Sequence, residues 1–339
     1  MRTLITGVPG WLGNRFIEIL TSGFAGEGPP FKESRIRCAM FPNSDLDFLK
    51  SQSGEIEVVY SDVTEKSTLT DACKNVEVIF HIAGLIHPPF FNARRVFDVN
   101  TDGTRNLLST AVSAGVKRFI FISSNSSIGC NPSSHALFTE DSPYNPYMKY
   151  GLSKYLAELE VKNFQEAGRI ETVILRPCWY YGPCQPVRQT RFFNMIRKGN
   201  PIVFGNGRNV RSMSYVDNTC QAMILAATKS VAAGKTYWIA DSRPYSMIEI
   251  YQTVAELLNV KLKPRFVPGL ASDVCMYVDR ILQSVGLYEM NIHVAGEMNK
   301  NIACSVRKAM DELGYQPKVD LYEGMKRSIE WCRKQGYLK

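Results

Sequence analysis

From residue 1 to about 125 the chain alternates short apolar runs with segments whose apolar residues recur every three to four positions. The runs are TLIT, IRCAMF, EVVYSD, VEVIFHIAG and KRFIFISS, and the periodic segments fall at 11–22, 65–74 and 92–114. Short runs rich in β-branched and aromatic residues predict strands, and the longer period predicts helices with one apolar face. Their alternation is the mark of βαβ units and therefore of a parallel sheet. Helices cover both faces of such a sheet, which explains why these strands read as continuous apolar runs. A helix over 148–167 and a strand TVILRP at 172–177 continue the series.

Past Pro177 the texture changes to loops rich in Gly, Pro and Asn, YYGPCQP and VFGNGRNVRSMSYVDN, before a helix at 216–229, a strand KTYWIA and a helix at 246–258. At 339 residues the chain exceeds one compact core. The pattern predicts an α/β fold: a doubly wound parallel sheet from 1–177 with return segments at about 211–242. A smaller, interleaved C-terminal lobe, 178–210 and 243–339, is expected to take the substrate. The connection TSGFAGEGPPFKES, 21–34, is longer than most in α/β units. The segment VPGLASDVCMYVDRILQSVGLY, 267–288, is interrupted by Asp273, Asp279 and Arg280, so it predicts an amphipathic helix and not a membrane span. The first residues lack a charged stretch followed by an apolar one, so no secretory signal is expected and the cytoplasm is the expected compartment.

Composition narrows the function classes. The formal charge is +8 without any block of Lys and Arg, which argues against nucleic-acid or membrane-surface binding and favours an anionic small molecule. The nine cysteines are scattered, odd in number and free of any CxxC pair, so neither a disulfide framework nor a zinc site is expected. Among four histidines, His81 and His87 flank an apolar segment and do not repeat at metal-binding spacing. No catalytic metal is expected.

The first strand runs directly into Gly7, Gly10 and Gly13 at the mouth of the first helix. Glycines there let the chain turn tightly and let a pyrophosphate approach main-chain N–H groups at the positive end of a helix. With Trp11 and Leu12 they form the candidate phosphate-binding turn of a dinucleotide site. An acid after the second strand would hold the adenosine ribose hydroxyls and an arginine would welcome a 2′-phosphate. Phe41 stands at that place, so the cofactor is NAD or NADP, with NAD preferred.

The order of these pieces, TGVPGWLG, SDVTEKSTL, FHIAG, VNTDGTRNLLSTAVSAGVKRFIFISS, YGLSKYLAE, ILRPCWYYGP, FGNGRNVRSMSYVDN and MDELGYQPKVDLYEGMKRSIEW, resembles the extended short-chain dehydrogenase/reductase superfamily, or NAD-dependent epimerase/dehydratase family, over nearly the whole chain. The resemblance implies a Rossmann-type fold with Tyr150 as acid/base, Lys154 as its partner and Ser124 beside them. Tyr150 and Lys154 are four residues apart on one helix face, so an ammonium can sit near the phenol and is expected to favour the phenolate. Ser124 follows the strand RFIFISS, where open parallel sheets place ligands. Its neighbour Ser123 competes for the role, and Tyr144 and Tyr147 compete with Tyr150 but lack a lysine four residues on.

By the same resemblance Asp62 and Val63 are expected at the adenine, and Ala83 and Gly84 where the dinucleotide crosses the strand ends. Asn100 would steady the central helix, and Arg176 and Pro177 would meet the nicotinamide through their backbone. A homodimer would form through the helices near 92–114 and 148–167.

The departures bear on the reaction. Family dehydratases carry an Asp-Glu pair after the catalytic hydroxyl residue, whereas Asn125 and Ser126 stand here, which disfavours elimination of water. Cys178 and Trp179 replace an asparagine common in nucleotide-sugar enzymes, yet Arg211 keeps a position where such enzymes hold a pyrophosphate. Arg211 can also be read as a solvated surface charge.

The leading expectation is an NAD(P)-dependent epimerase or dehydrogenase of a nucleotide sugar, with Ser124, Asn125, Tyr150, Cys178 and Arg211 at the substrate. A 3β-hydroxysteroid dehydrogenase-like enzyme on an apolar ketone or alcohol is the first alternative, suggested by Cys178, Trp179, Tyr180 and Tyr181. A non-catalytic dinucleotide-binding regulator is the second.

Overall fold

In the computed structural model, which describes residues 1–24 and 35–338, one seven-stranded sheet organises the chain. Its strands are β1 (Arg2–Val8), β2 (Arg35–Met40), β3 (Ile56–Tyr60), β4 (Val78–His81), β5 (Arg118–Ile122), β6 (Glu171–Pro177) and β7 (Lys235–Ile239). They lie in the order β7-β6-β5-β4-β1-β2-β3, and every neighbouring pair is parallel. The strand order reverses between β1 and β4, so the carboxyl ends of those strands flank the crevice in which open sheets bind ligands. Residues 25–34 of the long connection expected after the first helix lie outside the described residues.

The main helices are α1 (Trp11–Ser22), α2 (Gly103–Ser113), α3 (Met148–Glu166), α4 (Val216–Thr228), α5 (Met247–Leu257), α6 (Gly269–Ser284), α7 (Met290–Glu297) and α8 (Leu321–Lys334). Successive side chains of a strand point to opposite faces, and β5 divides the two cores accordingly. Ile120 and Ile122 join Phe16 and Ile17 of α1 and Met223 of α4. Phe119 and Phe121 join Leu107 of α2 and Val161 of α3. A third core gathers Ile250 and Val254 of α5, Met325 and Ile329 of α8, and Phe193, Met213 and Tyr215 from the chain between β6 and β7.

Two elements depart from their predicted form. The helix expected over 92–114 begins at Arg95–Phe97, widens to a π-type turn at Asp98–Asp102 and resumes as α2. The helix expected over 65–74 is a 3₁₀ turn, Lys66–Thr68, followed by one short helix, Leu69–Cys73. Apolar periodicity does not distinguish a π turn from regular helix, because one extra residue per turn leaves most of the inward stripe in place.

Candidate active site

The turn after β1 has the shape of an anion cradle. Gly7 is at φ +83°, where a Cβ would lie 2.7 Å from the Ala83 main-chain nitrogen, and a Cβ on Gly10 would lie 2.6 Å from the Gly7 carbonyl oxygen. A Cβ on Gly13 would overlap that same oxygen. Gly10 begins α1 in extended conformation, no side chain caps the helix, and its first turn carries no acid. The first N–H groups of α1 are therefore left for an anion, and the close approach of backbone suits a dinucleotide pyrophosphate. Leu12 buries its side chain in the core and can contribute only main chain. The Trp11 indole donates from Nε1 to the Pro183 carbonyl at 2.7 Å.

A buried chain of hydrogen bonds holds the crevice in register. Thr6 Oγ1 accepts from the Ile82 and Ala83 N–H groups at 3.1 and 3.0 Å and meets His81 Nδ1 at 2.8 Å. His81 Nε2 meets Thr104 Oγ1 at 3.0 Å, and that hydroxyl donates to the Asn100 carbonyl at 2.6 Å. Each threonine hydroxyl has one proton, so Thr6 donates to Nδ1 and the imidazole carries its hydrogen on Nε2. Burial and the nearby Lys154 push the His81 pKa down to about 3, which keeps the ring neutral. Its role is structural.

Asn100, in the π turn, binds both main-chain groups of Leu85 at 2.7 and 3.0 Å and Ser153 Oγ at 2.9 Å. Gly84 lies over this contact, since a Cβ there would be 3.3 Å from Asn100 Oδ1 and 3.9 Å from Lys154 Nζ. Asp62, Val63 and Phe41, also expected at the cofactor, lie apart from the cavity that Tyr150 lines. Asp62 closes the turn after β3, its Oδ1 accepting from the Thr64 N–H and hydroxyl at 2.9 and 2.8 Å. Val63 packs against Gly103, and Phe41 is 57% exposed just beyond β2.

Ser124, Asn125, Tyr150, Pro177, Cys178 and Arg211 line one cavity of about 260 Å³, together with Trp11 and Ser123. The two serines differ in what they touch. The Ser123 hydroxyl donates to Glu158 Oε1 at 2.5 Å, whereas the Ser124 hydroxyl interacts with Tyr150. Burial pushes the Tyr150 phenol up to about 12, the Ser124 hydrogen bond opposes this, and Glu297 reinforces it.

Lys154 does not lower that phenol in the way its spacing suggests. It is itself buried, which draws its pKa down to about 7. Its Nζ donates to the Ile122 carbonyl at 2.7 Å and sits 4.2 Å from the centre of the Phe121 ring. Low-dielectric surroundings disfavour both charges, and the carbonyl holds the ammonium under the crevice.

Two residues behind the cavity have roles that the sequence did not disclose. Glu158 stands one helical turn beyond Lys154, fully buried, and pairs with Arg176 at 2.6 Å. It also accepts from Ser127 at 3.0 Å and from the Tyr144 hydroxyl at 2.6 Å. Arg176 therefore directs its guanidinium away from the cavity, and Tyr144 belongs to this ion pair. The i, i+4 continuation from Lys154 to Glu158 was the available signal. The second is His293, on the cavity wall, whose Nδ1 meets the buried carboxylate of Asp279 at 2.7 Å. The Asp279 hydrogen bond and the charges of Glu297 and Asp279 outweigh burial and raise its pKa.

Arg211 is 5% exposed, which removes its reading as a solvated charge. Its Nη2 donates to the Glu297 carbonyl, its guanidinium lies 5.5 Å from the Trp179 ring centre, and its buried Nε has no partner. Cys178 sets its Sγ 3.7 Å from that of Cys304.

The sequence profile of the 3-beta hydroxysteroid dehydrogenase/isomerase family matches residues 4–268. An uncharacterised protein, y4nL, of Sinorhizobium fredii is 42% identical over 98% of this chain and 95% of its own length. A 3beta-hydroxysteroid-dehydrogenase/decarboxylase isoform of Arabidopsis thaliana is 28% identical over 82% of this chain and 67% of its own. The UDP-glucose 4-epimerase of Vibrio cholerae is 26% identical over 96% and 94%. Among solved structures, a dTDP-glucose 4,6-dehydratase of Streptomyces venezuelae with NAD bound superposes with a TM-score of 0.77 at 24% identity, covering 100% of this chain and 99% of its own. The glycine cradle is consistent with the NAD or NADP of such enzymes. The chain belongs to the 3-beta hydroxysteroid dehydrogenase/isomerase family, within the extended short-chain dehydrogenase/reductase enzymes.

Proposed function

We propose that the protein catalyses NAD(P)-dependent hydride transfer at a secondary alcohol or ketone carbon of a nucleotide-activated sugar, as an epimerase or dehydrogenase, with Ser124, Tyr150 and Lys154 as its catalytic residues. The observation that carries the substrate class is Arg211. A guanidinium Nε buried without a partner is costly, and an anionic oxygen in the cavity would satisfy it with a charge-assisted bond. The Vibrio relative and the Streptomyces dehydratase are named for nucleotide sugars, in line with this reading.

Bound NAD(P) supplies the hydride acceptor or donor and, when oxidised, a positive charge beside the phenol. Tyr150 exchanges a proton with the reacting oxygen, and Ser124 donates a hydrogen bond to that oxygen. Lys154, anchored on the Ile122 carbonyl, would hold the cofactor ribose, and the charge that favours the ionised phenol is that of the oxidised cofactor. NAD is the preferred form, because neither Phe41 nor a neighbour offers an arginine to a 2′-phosphate.

A second reading has its own support. Ile86, Cys178, Trp179, Tyr180, Met298 and Ile302 give the cavity an apolar wall, and the family and the Arabidopsis relative are named for hydroxysteroids. Assays with UDP-glucose, dTDP-glucose and a 3β-hydroxysterol, each with and without added NAD and NADP, separate the two. Turnover of a sugar nucleotide is expected. Tyr150→Phe should lower kcat by about 10²–10⁴-fold, and Arg211→Ala should raise KM for the sugar nucleotide about tenfold or more. Sterol turnover with a KM untouched by Arg211→Ala would replace the first reading by the second.

A further inference from the structure

Helix α7 brings two titratable side chains to the cavity that Tyr150 lines. His293 and Glu297 stand four residues apart, so they share one face of the helix, one turn from each other. The proton and hydride transfer at Tyr150 uses neither. Glu297 is the one carboxylate on the cavity wall among the described residues, and among them no hydrogen bond or ion pair ties its side chain down. It lies near enough to Tyr150 for its charge to raise that phenol.

His293 is held from behind. Its Nδ1 meets Asp279 Oδ2 at 2.7 Å, and the fully buried Asp279 also accepts from Gln283 Nε2 at 2.9 Å on both oxygens. Gln283 Oε1 accepts in turn from the N–H of Lys149, the residue before Tyr150, at 3.0 Å. The Tyr147 ring lies 5.6 Å from the imidazole. A carboxylate only accepts, so the imidazole keeps a proton on Nδ1, and Nε2 is the atom left for a ligand. Burying a carboxylate costs stability. What this one achieves is to lock an imidazole on the cavity wall in register with the start of α3.

The neighbouring charges narrow what can lie against this face. Arg211 sits at the end of the same helix, where its Nη2 donates to the Glu297 carbonyl, and its unpaired Nε suits an anion there. A second anionic group beside Glu297 would be repelled. An apolar ring would strip water from the carboxylate and the imidazole without replacing the lost hydrogen bonds. Hydroxyl groups satisfy both, because a hydroxyl donates to the carboxylate and either donates to Nε2 or accepts from it, according to the charge on the ring.

We propose that His293 and Glu297 determine specificity by binding hydroxyl groups of the substrate's sugar ring, with Asp279 and Gln283 as positioning residues behind them. The assignment rests on the nucleotide-sugar reading of Arg211 and adds to it that the sugar keeps the hydroxyls facing α7.

Calorimetric titration of the NAD-loaded full chain with UDP, UDP-glucose and the 2-, 3- and 6-deoxy analogues of UDP-glucose, and with dTDP and dTDP-glucose, tests this. The sugar nucleotide should bind about tenfold or more tighter than its parent diphosphate, and at least one deoxy analogue should lose that gain. Glu297→Gln and His293→Gln should each shrink the gap between sugar nucleotide and diphosphate while leaving the diphosphate Kd within about twofold. Glu297→Gln preserves the main-chain carbonyl that Arg211 uses and serves if His293→Gln misfolds. Diphosphate binding with a gap that neither variant alters, or deoxy analogues that all bind like UDP-glucose, would overturn the assignment and leave the reading of Arg211 standing. A Glu297→Gln effect confined to kcat would overturn it too, since the carboxylate would then act only through its charge on Tyr150. Failure of both diphosphates to bind would remove the nucleotide-sugar reading itself, and this assignment with it.

Discussion

Glu158 and Arg176 show what a single residue can hide from its sequence. Tyr150 and Lys154 were legible because the helical period places them together and because lysine beside tyrosine suggests chemistry. Glu158 continues the same stripe, but its meaning depends on a strand residue 18 positions away that no local pattern links to it. The pair fixes Ser123 and Tyr144, leaving Ser124 and Tyr150 facing the cavity. Glu158→Ala would strand a buried guanidinium and should cost about 3–5 kcal/mol, read as a lower denaturation midpoint in urea. A loss under about 1 kcal/mol would mean that Arg176 finds another partner.

At the scale of elements, the existence and order of strands and helices followed from apolar patterning, while the device that orients helix α3 did not. The π turn at Asp98–Asp102 carries Asn100 between the Leu85 main chain and Ser153 of α3, and Ser153 Oγ donates to the Tyr150 carbonyl at 2.7 Å. The extra residue in that turn is invisible to a 3.6-residue count. Asn100→Ala leaves the Leu85 N–H without its acceptor and loosens Gly84 above Lys154. It should destabilise the fold by about 1–3 kcal/mol and weaken NAD binding, measured by quenching of intrinsic fluorescence. Unchanged NAD affinity would confine Asn100 to a packing role.

For the whole molecule, the site opposes stability. Lys154 is drawn from its ordinary 10.5 to about 7 by burial, so the unfolded chain holds this proton more tightly than the folded one. Between pH 7 and about 10.5 stability from this group should therefore rise with pH, and below pH 7 the full penalty of burying the ammonium applies. Lys154→Met should raise the thermal midpoint at pH 6 by an amount equivalent to a few kcal/mol while abolishing turnover, with the gain fading above pH 10. A variant less stable at pH 6 would show that the Ile122 contact outweighs desolvation. The parallel pairing of β6 with β7 has a different consequence. The chain leaves the sheet at Pro177 and rejoins it beside the same strand at Lys235, so Cys178, Trp179 and Arg211 belong to an excursion pinned at both feet. New specificities can arise by rewriting that excursion while the platform that carries the glycine cradle and the tyrosine helix is inherited intact.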